Sequence, residues 1–175
     1  MLRAFLPDLV LIGGWVPHLY RHYGGFSEWR AGLSGTTELD LLIVPPIARD
    51  DGATLPEVLR GAEFEQRAGG AVWESADPHA RIEFMVPYQG PARGRSEVVP
   101  VDAHAGLGAI ALDGLSLLSD FSTTLALPVG RAENAAQTVE VRVPTLGAYV
   151  LNKALTFPYR PAAAGGGPER AKDIL

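Results

Sequence analysis

Thr36-Thr37-Glu38-Leu39-Asp40-Leu41-Leu42-Ile43-Val44 is apolar, rich in branched side chains, and stopped by Pro45-Pro46. A run of that kind reads as a buried β-strand. Two carboxylates, Glu38 and Asp40, interrupt it. Side chains alternate along a strand, so both face one side, roughly 7 Å apart at about 3.3 Å per residue. Like charges at the head of an apolar strand repel each other and are costly to desolvate unless a cation lies between them. A divalent metal meets that need, and carboxylate-held metal pairs are a common device in phosphoryl and nucleotidyl transfer. An acid-x-acid triplet also occurs on the solvated face of ordinary edge strands, so the flanking sequence has to separate the two readings.

Upstream, Leu9-Val10-Leu11-Ile12 is a short apolar run ended by Gly13-Gly14. Trp15 to Tyr23 follows with Trp15, Val16, Leu19 and Tyr20 at helical spacing, and Gly24-Gly25 closes it. The order is apolar segment, glycine pair, helix. Such a turn lets the backbone bend tightly and leaves amides near a helix N-terminus, which suits a phosphate as well as a purely structural bend. Thr36 and Thr37 place hydroxyl donors at the mouth of the acidic strand. His18 and His22, four apart on the predicted helix, lack an evident third ligand and read as structural or solvent-facing.

Downstream, Leu55 to Arg67 is read as an amphipathic helix with Pro56 near its first position, ended by Gly69-Gly70. Ala71 to Trp73 and Ala80 to Val86 read as two strands, and Glu83 stands out among Ile82, Phe84, Met85 and Val86. Gln89 to Ser96 is a basic loop carrying Arg93 and Arg95. Val98 to Val101 and Leu107 to Leu118 are further apolar pieces. Thr124 to Val129 and Thr138 to Val143 read as strands, with Val139, Val141 and Val143 on one face of the second. Pro144 opens a helix from Thr145 to Phe157, with Leu146, Tyr149, Val150, Lys153 and Ala154 along one side. Pro161 to Pro168 is a flexible linker, after which Glu169 to Leu175 begins another helix.

In order, the polar features are Gly13-Gly14, Glu38-x-Asp40, Glu83, Lys153 and Asp173. Gly-Gly-Trp followed by Thr-x-acid-x-Asp-Leu-Leu resembles the opening of the polymerase-β-type nucleotidyltransferase superfamily. Leu151-Asn152-Lys153-Ala154-Leu155, then Arg160, then Lys172-Asp173, is similar to the distal motifs of the AbiEii-like branch, the nucleotidyltransferase-like toxins of bacterial abortive-infection and toxin–antitoxin systems. The resemblance implies that Gly13 and Gly14, with Thr36 and Thr37, admit the triphosphate of a bound NTP. It implies that Glu38 and Asp40 hold Mg²⁺, and that Glu83 is the third metal-binding carboxylate and helps deprotonate the attacking hydroxyl. Lys153 would contact the phosphates, and Asp173 would be the distal acid of the branch. The implied acceptor is tRNA or a protein, and the implied partner an antitoxin.

Two other readings stay open. The fold could serve as a catalytically degenerate module that binds a nucleotide or a partner chain, or as a nucleotidyltransferase for small aminoglycoside-like molecules.

Composition bounds these readings. The 175 residues suit one domain with a small appendage, and 47% apolar with 20% charged residues supports a real core. A net charge of −5 argues against a protein that coats nucleic acid. With no cysteine, disulfides, thiolate zinc sites and a cysteine nucleophile are excluded. Pro7 and Asp8 break the first apolar run, a poor signal peptide, and no later run has the length of a membrane span. The expectation is therefore a cytoplasmic α/β (α+β) protein with a nucleotidyltransferase-type mixed sheet flanked by helices. Residues 1–143 would form its core and 144–175 the beginning of a helical C-terminal region, containing the linker 161–168 and cut short at its end.

Overall fold

Leu9–Ile12 (β1) is buried at every position, which places it inside a sheet covered on both faces. It pairs antiparallel with Glu38–Ile43 (β2), from Leu9 opposite Ile43 to Ile12 opposite Asp40. The computed structural model describes residues 2–28, 36–44, 52–76, 80–90, 97–129 and 137–156. Their remaining strands are Phe64–Arg67 (β3), Val72–Ser75 (β4), Arg81–Pro87 (β5), Glu97–Pro100 (β6), Gly108–Leu112 (β7), Ser122–Val129 (β8) and Gln137–Pro144 (β9). The helices are Trp15–Tyr23 (α1), Leu55–Gly61 (α2), Leu115–Asp120 (α3) and Leu146–Thr156 (α4), with a short 3-10 helix at Arg3–Asp8.

Together the strands form one mixed nine-stranded sheet, ordered β3-β4-β5-β2-β1-β9-β8. β5 runs parallel to β2 along one side. Its other side is shared: Arg81 to Glu83 pair with β4, and Met85 to Pro87 pair with β7, which in turn carries β6. β9 joins β1 in parallel at Val10 and Arg142, and β8 lines its outer side antiparallel.

Alternation sorts the core into two layers. Leu9, Leu11, Leu41, Ile43, Ile82, Phe84 and Val143 pack with Phe5, with Val16, Leu19 and Tyr20 of α1, and with Leu55 and Leu59 of α2. Val10, Ile12 and Leu42 face the other way, onto Leu115 and Leu118 of α3 and Ala148 of α4. The Tyr20 hydroxyl donates to the Pro144 carbonyl at 2.9 Å, tying α1 to the end of β9. The fold is thus an α/β arrangement with helices on both faces of a mixed sheet. Among the described residues no helix is long and apolar enough to cross a membrane.

Two expectations need correction. The helix predicted over Leu55 to Arg67 stops at Gly61, and Phe64–Arg67 is a strand. Thr54 caps α2 in a reciprocal box with Glu57. After the helix ends, Glu63 adopts a positive φ of 63°, a left-handed turn that redirects the chain so that Phe64 to Arg67 pair with Ser75 to Val72. On α4 the buried positions are Ala148 and Asn152, whereas Val150 is 63% exposed. Asn152 donates to the Gly114 carbonyl at 3.0 Å, so a polar side chain anchors the helix through a hydrogen bond.

Candidate active site

The face of β2 that is apolar at Leu42 turns acidic at Asp40 and Glu38, two and four residues earlier, as the strand runs out from the α3–α4 layer. In the parallel register with β5, Glu38 lies opposite Arg81 and Asp40 opposite Glu83. Paired residues point to the same face. Glu38, Asp40, Arg81 and Glu83 therefore form one quartet on neighbouring strands. The Arg81 guanidinium bridges two of the acids, with Nη1 3.1 Å from Glu38 Oε1 and Nη2 2.5 Å from Glu83 Oε1. Its Nε is buried without a hydrogen-bond partner.

Gly13 and Gly14 form the wall beside Asp40. Gly13 has a φ of 72°, and a Cβ built on it would collide with Asp40 Oδ2. A Cβ on Gly14 would lie 3.1 Å from Thr36 Cβ. The turn thus sits directly against the first acidic strand and its preceding threonine. Gly14 is also the N-cap residue of α1 and supplies no side-chain cap, so the positive end of that helix opens beside the carboxylates. Thr36 Oγ1 meets the Glu38 backbone, at 3.3 Å from its carbonyl and 3.4 Å from its amide, whereas Thr37 is exposed.

The electrostatics are those of a site rich in negative charge. Burial, then the carboxylates of Glu83 and Glu38, push the Asp40 pKa up to about 6, against the pull of Lys153 and Arg81. Burial also raises Glu83; Arg81 opposes that shift and Glu38 reinforces it. Lys153 on α4 is close enough to favour ionised Asp40, and its Nζ stands 5.7 Å from the centre of the Tyr149 ring.

The structure therefore brings Gly13, Gly14, Thr36, Glu38, Asp40 and Glu83 together, with Lys153 acting on Asp40 from α4. Asp173, Arg160, Arg170, Lys172, Arg93 and Arg95 lie outside the described residues. His18 is half-buried with its ring 5.7 Å from that of Trp15, and His22 is exposed beside Tyr23. A shallow depression lined by Gln66, Gly69, Val98 and Gly108 contains none of the site residues.

Arg81 is the member that the sequence reading missed. Its signal was present: Arg81-x-Glu83 repeats the two-residue spacing of Glu38-x-Asp40, so alternation alone puts the arginine beside the third acid. Carboxylate oxygens on one face, in excess over the nearby cations, are the donor set that hard divalent cations take. With Arg81 drawn between Glu38 and Glu83, no group of three or more such side chains converges as a metal cluster among the described residues. Comparison with protein-family models, with curated proteins and with solved structures returned no match to this chain.

Proposed function

We propose that this chain is a Mg²⁺-dependent nucleotidyltransferase of the polymerase-β type, moving a nucleoside monophosphate from an NTP to an acceptor hydroxyl. The observation that carries this reading is the packing of Gly13 against Asp40 while Glu38, Asp40 and Glu83 share one face of two parallel strands. A glycine turn, a helix N-terminus and three carboxylates then occupy one corner of the sheet. That combination suits a triphosphate: positive backbone groups for its oxygens, and acids for the cation that accompanies it.

In this reading Glu38, Asp40 and Glu83 would hold the metal, which supplies charge neutralisation at the phosphates and polarises the α-phosphorus. The Gly13-Gly14 turn lets the phosphates approach the first turn of α1, and Thr36 closes the same side. Glu83, whose raised pKa suits a base, takes the proton as the acceptor oxygen bonds to the α-phosphorus. The α–β phosphoanhydride bond breaks and pyrophosphate leaves. Lys153 offsets negative charge as it accumulates. Most of the acceleration comes from positioning, in keeping with a site that has no histidine or cysteine nucleophile.

The AbiEii-like motifs extend the proposal to an acceptor hydroxyl on tRNA or protein, a toxin or phage-defence role, and an antitoxin as partner. Incubation with each α-labelled NTP and Mg²⁺, adding in turn RNA, protein and aminoglycosides, tests it. Label transferred by the wild type and not by Asp40→Asn supports the enzyme and identifies the acceptor class. Absence of transfer to every acceptor, with the protein folded, counts against it. One observation favours the second reading, a non-catalytic binding module: Arg81 already neutralises two of the three acids.

A further inference from the structure

Arg81 does more than sit near the carboxylates. Its guanidinium lies between Glu38 on one strand and Glu83 on the next, with a separate nitrogen directed to each. A planar fork spanning two carboxylates occupies the place that a bridging cation would take. The position is imperfect for the arginine, because Nε is buried there without a hydrogen-bond partner. Its side chain is nonetheless 39% exposed, which leaves it room to leave.

An alternative acceptor is in reach. Glu74 on β4 stands directly opposite Arg81 in the antiparallel register and so points to the same face. Glu74 is 42% exposed and is held from its far side by Arg67 Nε at 3.5 Å, while Arg67 Nη2 also binds Glu65 at 2.7 Å. The face thus carries charged side chains on four neighbouring strands: Glu38 on β2, Arg81 and Glu83 on β5, Glu74 on β4, and Glu65 and Arg67 on β3.

We propose that Arg81 is a positioning residue that competes with the divalent cation: it bridges Glu38 and Glu83 until the metal arrives, and is received by Glu74 when displaced. This rests on the metal-dependent reading above. It accounts for a site whose three acids share a face without converging. Displacement exchanges the two ion pairs of Arg81 with Glu38 and Glu83 for one with Glu74, and the cation takes over the neutralisation of the two acids that it frees. In the displaced position Arg81 leaves the carboxylates free to turn toward the metal and keeps a positive charge at the margin of the site.

Mn²⁺ binding to the nucleotide-free protein, followed by electron paramagnetic resonance, tests this without relying on turnover. Arg81→Gln is expected to bind Mn²⁺ about five- to tenfold more tightly than the wild type, the scale of one partly screened ion pair. Arg81→Lys, which keeps a charge but loses the fork, is expected to fall between them and guards against loss of fold in the first variant. Glu74→Gln is expected to weaken Mn²⁺ binding in the wild-type background and to have no effect in Arg81→Gln. Unchanged or weaker binding in Arg81→Gln, with wild-type binding still abolished by Asp40→Asn, overturns the competition and leaves the metal site standing. Absence of a saturable site in both wild type and Arg81→Gln overturns the metal-dependent reading as well.

Discussion

Gly13 leaves empty the volume that the Asp40 carboxylate fills: any side chain at position 13 would overlap Asp40 Oδ2. The glycine is required twice over, because its φ of 72° is also a conformation that other residues adopt at a cost. Gly13→Ala is therefore expected to lower stability by roughly 2–4 kcal/mol, from backbone strain and overpacking together. Thermal unfolding of Gly13→Ala, Asp40→Gly and the double variant measures how much comes from the collision. The double variant should recover part of the loss, and simple additivity would contradict the packing described.

Asp40 has a folded-state pKa of about 6 against an ordinary 3.8. Since the folded value is the higher one, the fold favours the neutral carboxyl. That contribution is complete below about pH 4 and is lost as pH rises through 6. Asn at this position cannot ionise. Asp40→Asn should unfold at higher temperature than the wild type above pH 6, by an equivalent of about 1–3 kcal/mol, with the difference vanishing near pH 4. Mg²⁺ should stabilise the wild type and narrow that gap; an Asp40→Asn protein less stable at neutral pH would contradict the electrostatics.

Lys153 is one of the two cations that favour ionised Asp40. Lys153→Met should move the carboxyl titration of Asp40 to still higher pH, readable by carbon-detected nuclear magnetic resonance. It should also weaken NTP binding by about tenfold, as expected for loss of one charge at a phosphate site. A titration that stays in place would mean that the lysine does not act on the quartet.

Tyr20→Phe removes the hydroxyl donated to the Pro144 carbonyl while keeping the ring in the core. The expected cost is about 1 kcal/mol of stability. Mn²⁺ and NTP binding should be unchanged, since the hydrogen bond joins α1 to β9 and touches none of the carboxylates. A change in metal affinity would show that this tie sets the geometry of the site.

The acidic strand was legible because its signals agreed: branched apolar residues, a proline stop and two carboxylates at strand spacing. The glycine turn and α1 were legible on the same grounds. Phe64–Arg67 was not, because Glu65, Gln66 and Arg67 are good helix formers and follow closely on the helical spacing of Leu55, Leu59 and Ala62. Pairing with β4 overrides that local preference, a choice settled by tertiary context. The start of α2 at Leu55 was read correctly, and the Thr54-x-x-Glu57 capping box gives its physical reason. On α4 the apolar stripe misled because the helix is anchored by Asn152, a residue that hydrophobic periodicity cannot weigh. Arg81 was overlooked because attention to carboxylates passes over the cation that separates them.

The meeting of α1 with the end of β9 also has a consequence for how the molecule comes into being. Tyr20 and Pro144 are 124 residues apart, and the pairing of Val10 with Arg142 spans a similar interval. Contacts that distant must close a very long loop before they return any energy, so they set a slow step in folding. On the ribosome β1 is made early, and one of its edges stays open until β9 emerges. Lys153 follows β9 in the chain and can reach Asp40 only after that closure. A nascent protein thus has its carboxylates long before it has its lysine, and the assembled site is a property of the completed sheet.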